Sequence, residues 1–266
     1  MSLFLALFAT GIGAGILGAL LGLGGGIFLV PALTLLFQLP IRVAVGTSLM
    51  GVIATSAAVG AVESPGRGAD IGLALRLEMS TAAGAITGGL LAGWISPRSL
   101  YLIFALVVFL TGAYELSKGY KAHAQKGDSR SSEVLFAADY VPSHWVLGLS
   151  LAFLAGMVSG LLGVGGGFIK VPVMDAVMGV PLGVAAATSN FMVGITAAAS
   201  FFVYYNRGDI YPFLVLPTSL GVLLGAMLGF SLIPHLRAAW LRLVLVGLMF
   251  LMGIHMILQG LGYSGR

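Results

Sequence analysis

The chain has no cysteine and very little charge. Without cysteine it has no disulfides, no thiolate metal sites and no cysteine nucleophile. Only 8% of its residues are Asp, Glu, Lys or Arg, against about a quarter in an ordinary soluble domain. A surface facing water needs more charge than that, and lipid removes the need. No basic tract is longer than a scattered loop, so the net charge of +4 reads as orientation in a bilayer and excludes nucleic acid. No Gly-Lys-Ser/Thr follows a glycine cluster, which excludes a phosphate-binding P-loop. No helix carries a two-histidine metal spacing, and Ser159-Gly160 lacks the glycine expected two positions before a nucleophilic serine. Neither an enzyme nor a cofactor is expected.

Apolar sequence dominates instead, at 59% hydrophobic residues, with forty glycines of the kind that let membrane helices approach closely. Apolar stretches fall at 3–21, 26–37, 43–62, 73–94 and 99–117, and again at 146–162, 167–178, 184–205, 212–233 and 240–259. Most reach the ~20 residues of a spanning helix. The stretches 26–37 and 167–178 are too short, and each follows a glycine cluster. The first stretch lacks the positive flank of a signal peptide and reads as a membrane element. The polar segment 119–144 reads as a cytoplasmic linker between an N-terminal repeat (1–118) and a C-terminal repeat (145–266).

The two repeats match at an offset of 141. Gly22 to Pro31 aligns with Gly163 to Pro172, Pro40 with Pro181, Thr47-Ser48 with Thr188-Ser189, and Thr55 with Thr196. After small gaps, Arg67-Gly68 matches Arg207-Gly208, and Gly84, Gly88 and Pro97 match Gly221, Gly225 and Pro234. Such duplication is a frequent plan of secondary transporters. Residues 3–37 in one straight helix would reach ~52 Å, against a ~30 Å hydrocarbon core, so they turn back at the glycines. The expected fold is an all-α polytopic membrane protein of two homologous halves. The halves are inverted-topology repeats, each a glycine-broken helical hairpin plus three transmembrane helices. A single tilted crossing in place of the hairpin makes the halves parallel, and the distribution of cations does not choose between the two.

Candidate site residues follow from the breaks. Gly24, Gly25 and Gly26 and their counterparts Gly165, Gly166 and Gly167 leave backbone N–H groups uncovered at the start of short helices. Irregular backbone at that depth is tolerated where it is buried in protein or lines a cavity, and such N–H groups suit an anion. Thr47, Ser48, Thr188, Ser189 and Asn190 bring hydroxyl and amide donors close behind, and the repeat symmetry suggests one shared central site. Lys170, opposite Leu29 in the repeat, either attracts an anion or snorkels, and Asp175 pairs with it or faces water. Glu63, Arg76, Glu78 and Glu115 read as solvated helix ends, and His255 as a packed histidine.

The doubled G-x-G-G-G-x-x-x-x-P and the following P-x-x-x-A-x-x-T-S, seen as Pro40 to Ser48 and Pro181 to Ser189, resemble the sulfite exporter TauE/SafE family of bacterial membrane transporters. The resemblance covers nearly the whole chain and implies a multi-pass protein of the bacterial inner membrane. It also implies a small anionic substrate: sulfite, a sulfonate such as sulfoacetate, or a related organosulfur compound. Transport by alternating access around a midplane site is the expectation, with proton or sodium coupling and a homo-oligomer both open. An anion channel and a transporter of small organic carboxylates are the alternatives.

Overall fold

The computed structural model of the protein describes residues 2–21, 24–62, 68–124, 140–232 and 238–262, and of residues 21, 62, 118–124 and 238–242 the backbone alone. The described residues form helices and turns, with no strand. Helix α1 spans Ser2–Leu21, α2 Gly26–Leu36, α3 Ile41–Val62, α4 Ile71–Trp94 and α5 Pro97–Ala124. The second half repeats the order with α6 Trp145–Leu162, α7 Gly167–Pro172, α8 Leu182–Arg207, α9 Pro212–Leu232 and α10 Ala238–Gly260. A π-helical turn, Val173–Val177, extends α7. Seven of these helices (α1, α3, α5, α6, α8, α9 and α10) are long and apolar enough to cross a membrane.

The boundaries follow from local chemistry. Pro97 and Pro212 occupy the first turn of α5 and α9, where a missing N–H costs nothing. Gly208 ends α8 in the left-handed conformation. Helix α5 continues to Ala124, past the expected limit of the first repeat, while 125–139 lie outside the described residues. At the start of α4, Asp70 is the N-cap and accepts the Leu73 N–H at 2.8 Å. Its other carboxylate oxygen accepts the Tyr140 hydroxyl at 2.6 Å. Burial opposes ionisation of Asp70. The bonds from Tyr140, Leu73 and Gly72, with Arg76 nearby, outweigh it and hold the carboxyl below its usual value of 3.8. Burial and the same carboxylate push the Tyr140 phenol upward.

Helices from different halves pack against each other. α1 lies along α9, and its repeat counterpart α6 lies along α4. Both pairs run parallel: Gly84 sits on Phe153 and Gly88 on Met157, while Gly221 sits on Phe8 and Gly225 on Ile12. The spacing is so close that a Cβ at any of these four glycines overlaps the facing backbone carbonyl. The equivalent helices α3 and α8 cross antiparallel, with Ser56 beside Asn190 and Gly46 beside Tyr204. α5 and α10 also run antiparallel, Gly112 facing Phe250 and Gly260 facing Leu102. The Phe109 and Phe250 rings meet there at 5.1 Å.

Two outcomes test this packing. Gly88→Ala, which forces α4 from α6, destabilises the detergent-solubilised protein by about 1–3 kcal/mol. Gly13→Ala, where the new methyl meets nothing within 4 Å, leaves the melting temperature near that of the wild type. Asp70, with a lowered carboxyl pKa, stabilises the fold above its usual value of 3.8, and that contribution is lost as pH falls through the folded value. In Asp70→Asn, thermal melts against pH lack that acid-side loss.

Candidate substrate site

The two glycine turns meet near the middle of the α3–α8 crossing. Gly24 and Gly25 have φ of 78° and 74°, and Gly165 and Gly166 have 86° and 75°. This left-handed backbone is open to glycine at no steric cost, and it reverses the chain from α1 into α2 and from α6 into α7. Val52 of α3 and Val193 of α8, themselves equivalent at the 141 offset, both pack against Gly24 and against Gly165. A pair of valines thus stands between the two turns. The N–H groups of Gly26, Ile27, Gly167 and Phe168 take no hydrogen bond among the described residues. Pro31 and Pro172 sit inside the two short helices at matching places.

The Thr-Ser pairs do not converge on one point. With Ser56 beside Asn190 on antiparallel helices, Thr47 and Thr188 lie roughly eleven residues apart along the axis, or ~16 Å. Ser48 donates to the Gly163 carbonyl at 2.8 Å, which ties α3 of one half to the turn of the other. The Thr188 hydroxyl accepts the Asp70 N–H at 3.0 Å. Thr47 Oγ1 and Ser189 Oγ are buried without a hydrogen-bond partner among the described residues. The valine pair therefore divides the candidate residues into two sets, one on each flank.

One flank is open. A small pocket of about 10 Å³, room for a single water, is lined by Gly18, Ala19, Gly24, Thr55, Ser56, Val59, Asn190, Val193 and Phe230. It holds no charged residue. Thr55 donates to its own helix at the Gly51 carbonyl, and Ser56 to the Asn190 carbonyl at 2.9 Å. The Asn190 side-chain amide has no hydrogen-bond partner among the described residues and provides two donors. Thr55 and Ser56 were not among the residues expected here, although the match of Thr55 with Thr196 was a sequence signal for them.

The other flank is filled. Lys170 is 2% exposed and Glu78 5% exposed, and they pair at 3.6 Å. The Thr196 hydroxyl, the counterpart of Thr55, bridges them at 2.5 Å from Lys170 Nζ and 2.6 Å from Glu78 Oε1. Thr81 donates to Glu78 Oε2 at 2.8 Å. Glu78 is thus a buried partner of Lys170, in place of the solvated helix end expected. Its position five residues inside an apolar stretch was the available signal, because a buried cation needs an anion. Glu115 is also buried, Arg76 lies over the Trp145 ring, and Glu63 falls outside the described residues. Asp175 is exposed, in line with the second of its two alternatives and not with pairing to Lys170, and His255 is exposed where a packed histidine is expected. Among the described residues no cluster of acidic or histidine side chains suits a metal ion.

The model of the family described as sulfite exporter TauE/SafE matches residues 7–256. The chain belongs to the sulfite exporter TauE/SafE family. It is a multi-pass membrane transporter of TauE/SafE type. It is similar to the probable membrane transporter protein YunE of Bacillus subtilis, with 28% identity over 97% of this chain and 98% of that one. The probable membrane transporter protein MJ0441 of Methanocaldococcus jannaschii is 26% identical over 95% and 94% of the two chains. The sulfite exporter TauE/SafE family protein 6 of Arabidopsis thaliana shares 36% over 104 residues, 37% of this chain and 24% of its own. No solved structure matches the chain.

For this TauE/SafE protein, breaking the buried pair is the costly change. Lys170→Met leaves the Glu78 carboxylate without its cation and lowers stability by about 3–5 kcal/mol. Adding Glu78→Gln to it recovers most of that loss, as read by thermal unfolding in detergent.

Proposed function

We propose that this protein is a secondary transporter of a small oxyanion, of the sulfite or sulfonate class, working by alternating access in a bacterial inner membrane. The observation that carries the reading is the uncharged pocket beside the Gly24 turn, where the free amide of Asn190 and the hydroxyls of Thr55 and Ser56 gather at a broken helix. The Asn190 amide supplies neutral donors for an oxyanion, and no cation in the pocket holds it too tightly for release. The printed description of the family, sulfite exporter, supports the substrate class.

Inverted-topology repeats are part of this proposal. The antiparallel crossings of α3 with α8 and of α5 with α10 support that relation between the halves. Each hairpin then enters from its own side of the membrane and presents its glycine turn near the middle. Val52 and Val193 form the thin barrier between the flanks, and rocking of the halves about the α3–α8 crossing opens one flank as it closes the other. The pocket on the Gly24 flank and the filled space on the Gly165 flank suit one end state of that cycle. The chain catalyses no chemical conversion in this reading.

Binding of sulfite, sulfoacetate, thiosulfate, taurine and simple carboxylates to the purified protein, followed by thermal shift, tests the class. Sulfur oxyanions stabilise the protein, and stabilisation by carboxylates alone moves the substrate to that class. Asn190→Leu weakens oxyanion binding roughly tenfold, the loss of one to two hydrogen bonds to a charged group, while the protein remains extractable and folded. An unchanged affinity defeats the role of the amide. Flux in proteoliposomes saturates with concentration, whereas single-channel currents identify an anion channel.

A further inference from the structure

We infer that Glu78, Lys170 and Thr196 form the proton site that couples transport, with anion binding on the Gly24 flank accompanied by protonation of Glu78. The inference rests on the transport reading above. The three groups are buried, with Lys170 Nζ 2.5 Å and Glu78 Oε1 2.6 Å from the one Thr196 hydroxyl. Lys170 lies on the helix that leaves the Gly165–Gly167 turn, and its own N–H bonds to the Gly166 carbonyl. The unpartnered hydroxyl of Ser159, fully buried, stands against Gly166 on that same turn.

The fold itself does not require the pair. At the equivalent places of the repeat stand Leu29 of the first half for Lys170 of the second and, by the Gly84–Gly221 match, Val215 of the second half for Glu78 of the first. Leu29 and Val215 are both buried, so the same fold closes around the Gly24 hairpin without charge at these places. A buried ion pair adds little stability over well-packed apolar side chains. Its presence on the Gly165 flank alone therefore points to a task that belongs to that flank.

The charge balance defines the task. With Glu78 ionised and Lys170 an ammonium, the cluster is neutral. One proton from water, added to a Glu78 carboxylate oxygen, leaves it at +1 with the Lys170 ammonium uncompensated. Asn190 and Thr196 lie six residues apart on α8, or ~9 Å. At that distance one positive charge strengthens the binding of a monoanion on the order of tenfold in a partly hydrated interior. Proton and anion then bind together, and the loaded transporter carries no net added charge through the low-dielectric barrier. Release of the anion returns the proton.

The other ionisable groups of the surrounding helices do not intrude. Arg76 of α4 is exposed over Trp145, and α6 carries no charged residue. Asp175 of the π-helical turn is exposed, and Tyr204, Tyr205 and Arg207 lie at the far end of α8. On α5, Tyr114 lies near both Asp175 and Glu115. Among the described residues, the charge acting on Glu78 is that of Lys170, and the charge acting on Lys170 is that of Glu78.

Methanesulfonate and ethanesulfonate are monoanions throughout pH 5 to 8, so any proton taken up on binding belongs to the protein. Calorimetry of each anion with the wild-type protein, in buffers of different ionisation enthalpy, shows proton uptake between pH 6 and 8 that peaks at about half a proton per anion, the most that a tenfold coupling gives. Binding without proton uptake overturns the inference, with no variant needed. Proteoliposomes give the second arm. Wild-type counterflow of the anion strengthens as pH falls from 8 to 6, and an inward pH gradient drives accumulation. The Glu78→Gln, Lys170→Met double variant, which leaves no unpaired buried charge, loses the pH dependence of counterflow and no longer accumulates the anion. A double variant that keeps the wild-type pH profile overturns the inference while leaving the transport reading in place. A wild type that exchanges neither anion overturns both.

Discussion

A methyl group at Gly26 would run into the carbonyl oxygen of Gly163 and crowd Ser48. At that point the turn of one half, the turn of the other and α3 share one small volume. The Ser48 hydroxyl closes the arrangement by donating to the Gly163 carbonyl at 2.8 Å. Backbone broken at membrane depth needs its polar groups met within the protein, and the interlocked turns provide that shelter. The parallel packing of α1 on α9 and of α4 on α6 follows from it, because each hairpin is flanked by a helix of the opposite half. The halves are thus interleaved, and neither buries its own hairpin alone.

Interleaving explains how a nearly symmetric scaffold carries asymmetric chemistry. Thr55 and Thr196 occupy equivalent places on α3 and α8, yet one lines an open pocket and the other bridges a buried ion pair. The difference traces to few substitutions between the repeats. Lys170 stands opposite Leu29 in the repeat, Glu78 opposite Val215, and Asn190 opposite Leu49. Each polar member reaches a partner from another element: Lys170 from α7 to Glu78 of α4, and Asn190 of α8, through its carbonyl, to Ser56 of α3. Valines 52 and 193 keep the two environments apart.

Much of the architecture was legible in the chain. The apolar stretch 73–94 and the helix Ile71–Trp94 differ by two residues at one end, and 26–37 and Gly26–Leu36 by one. Spanning segments are readable because lipid demands long apolar runs, and because glycine and proline punctuate them for steric reasons. The site was legible only in part. The glycine turns were named, but the Thr-Ser pairs were expected to share one point, and antiparallel crossing of α3 and α8 sets them on opposite flanks. Read along α4 alone, Glu78 looks like a helix end, because nothing in that segment shows that α7 and α8 lie across it.

The sequence by itself determined the membrane class, the duplication and the positions of the two breaks. These depend on local steric rules and on the hydrophobicity of continuous segments, which one chain carries in full. The tertiary structure decided which side chains meet across helices far apart in the chain: Lys170 with Glu78 and Thr196, Ser48 with Gly163, and Val52 with Val193. Such meetings depend on the register and direction of packed helices. Close glycine contacts set that register here, and forty glycines scattered through apolar sequence do not announce which of them will touch.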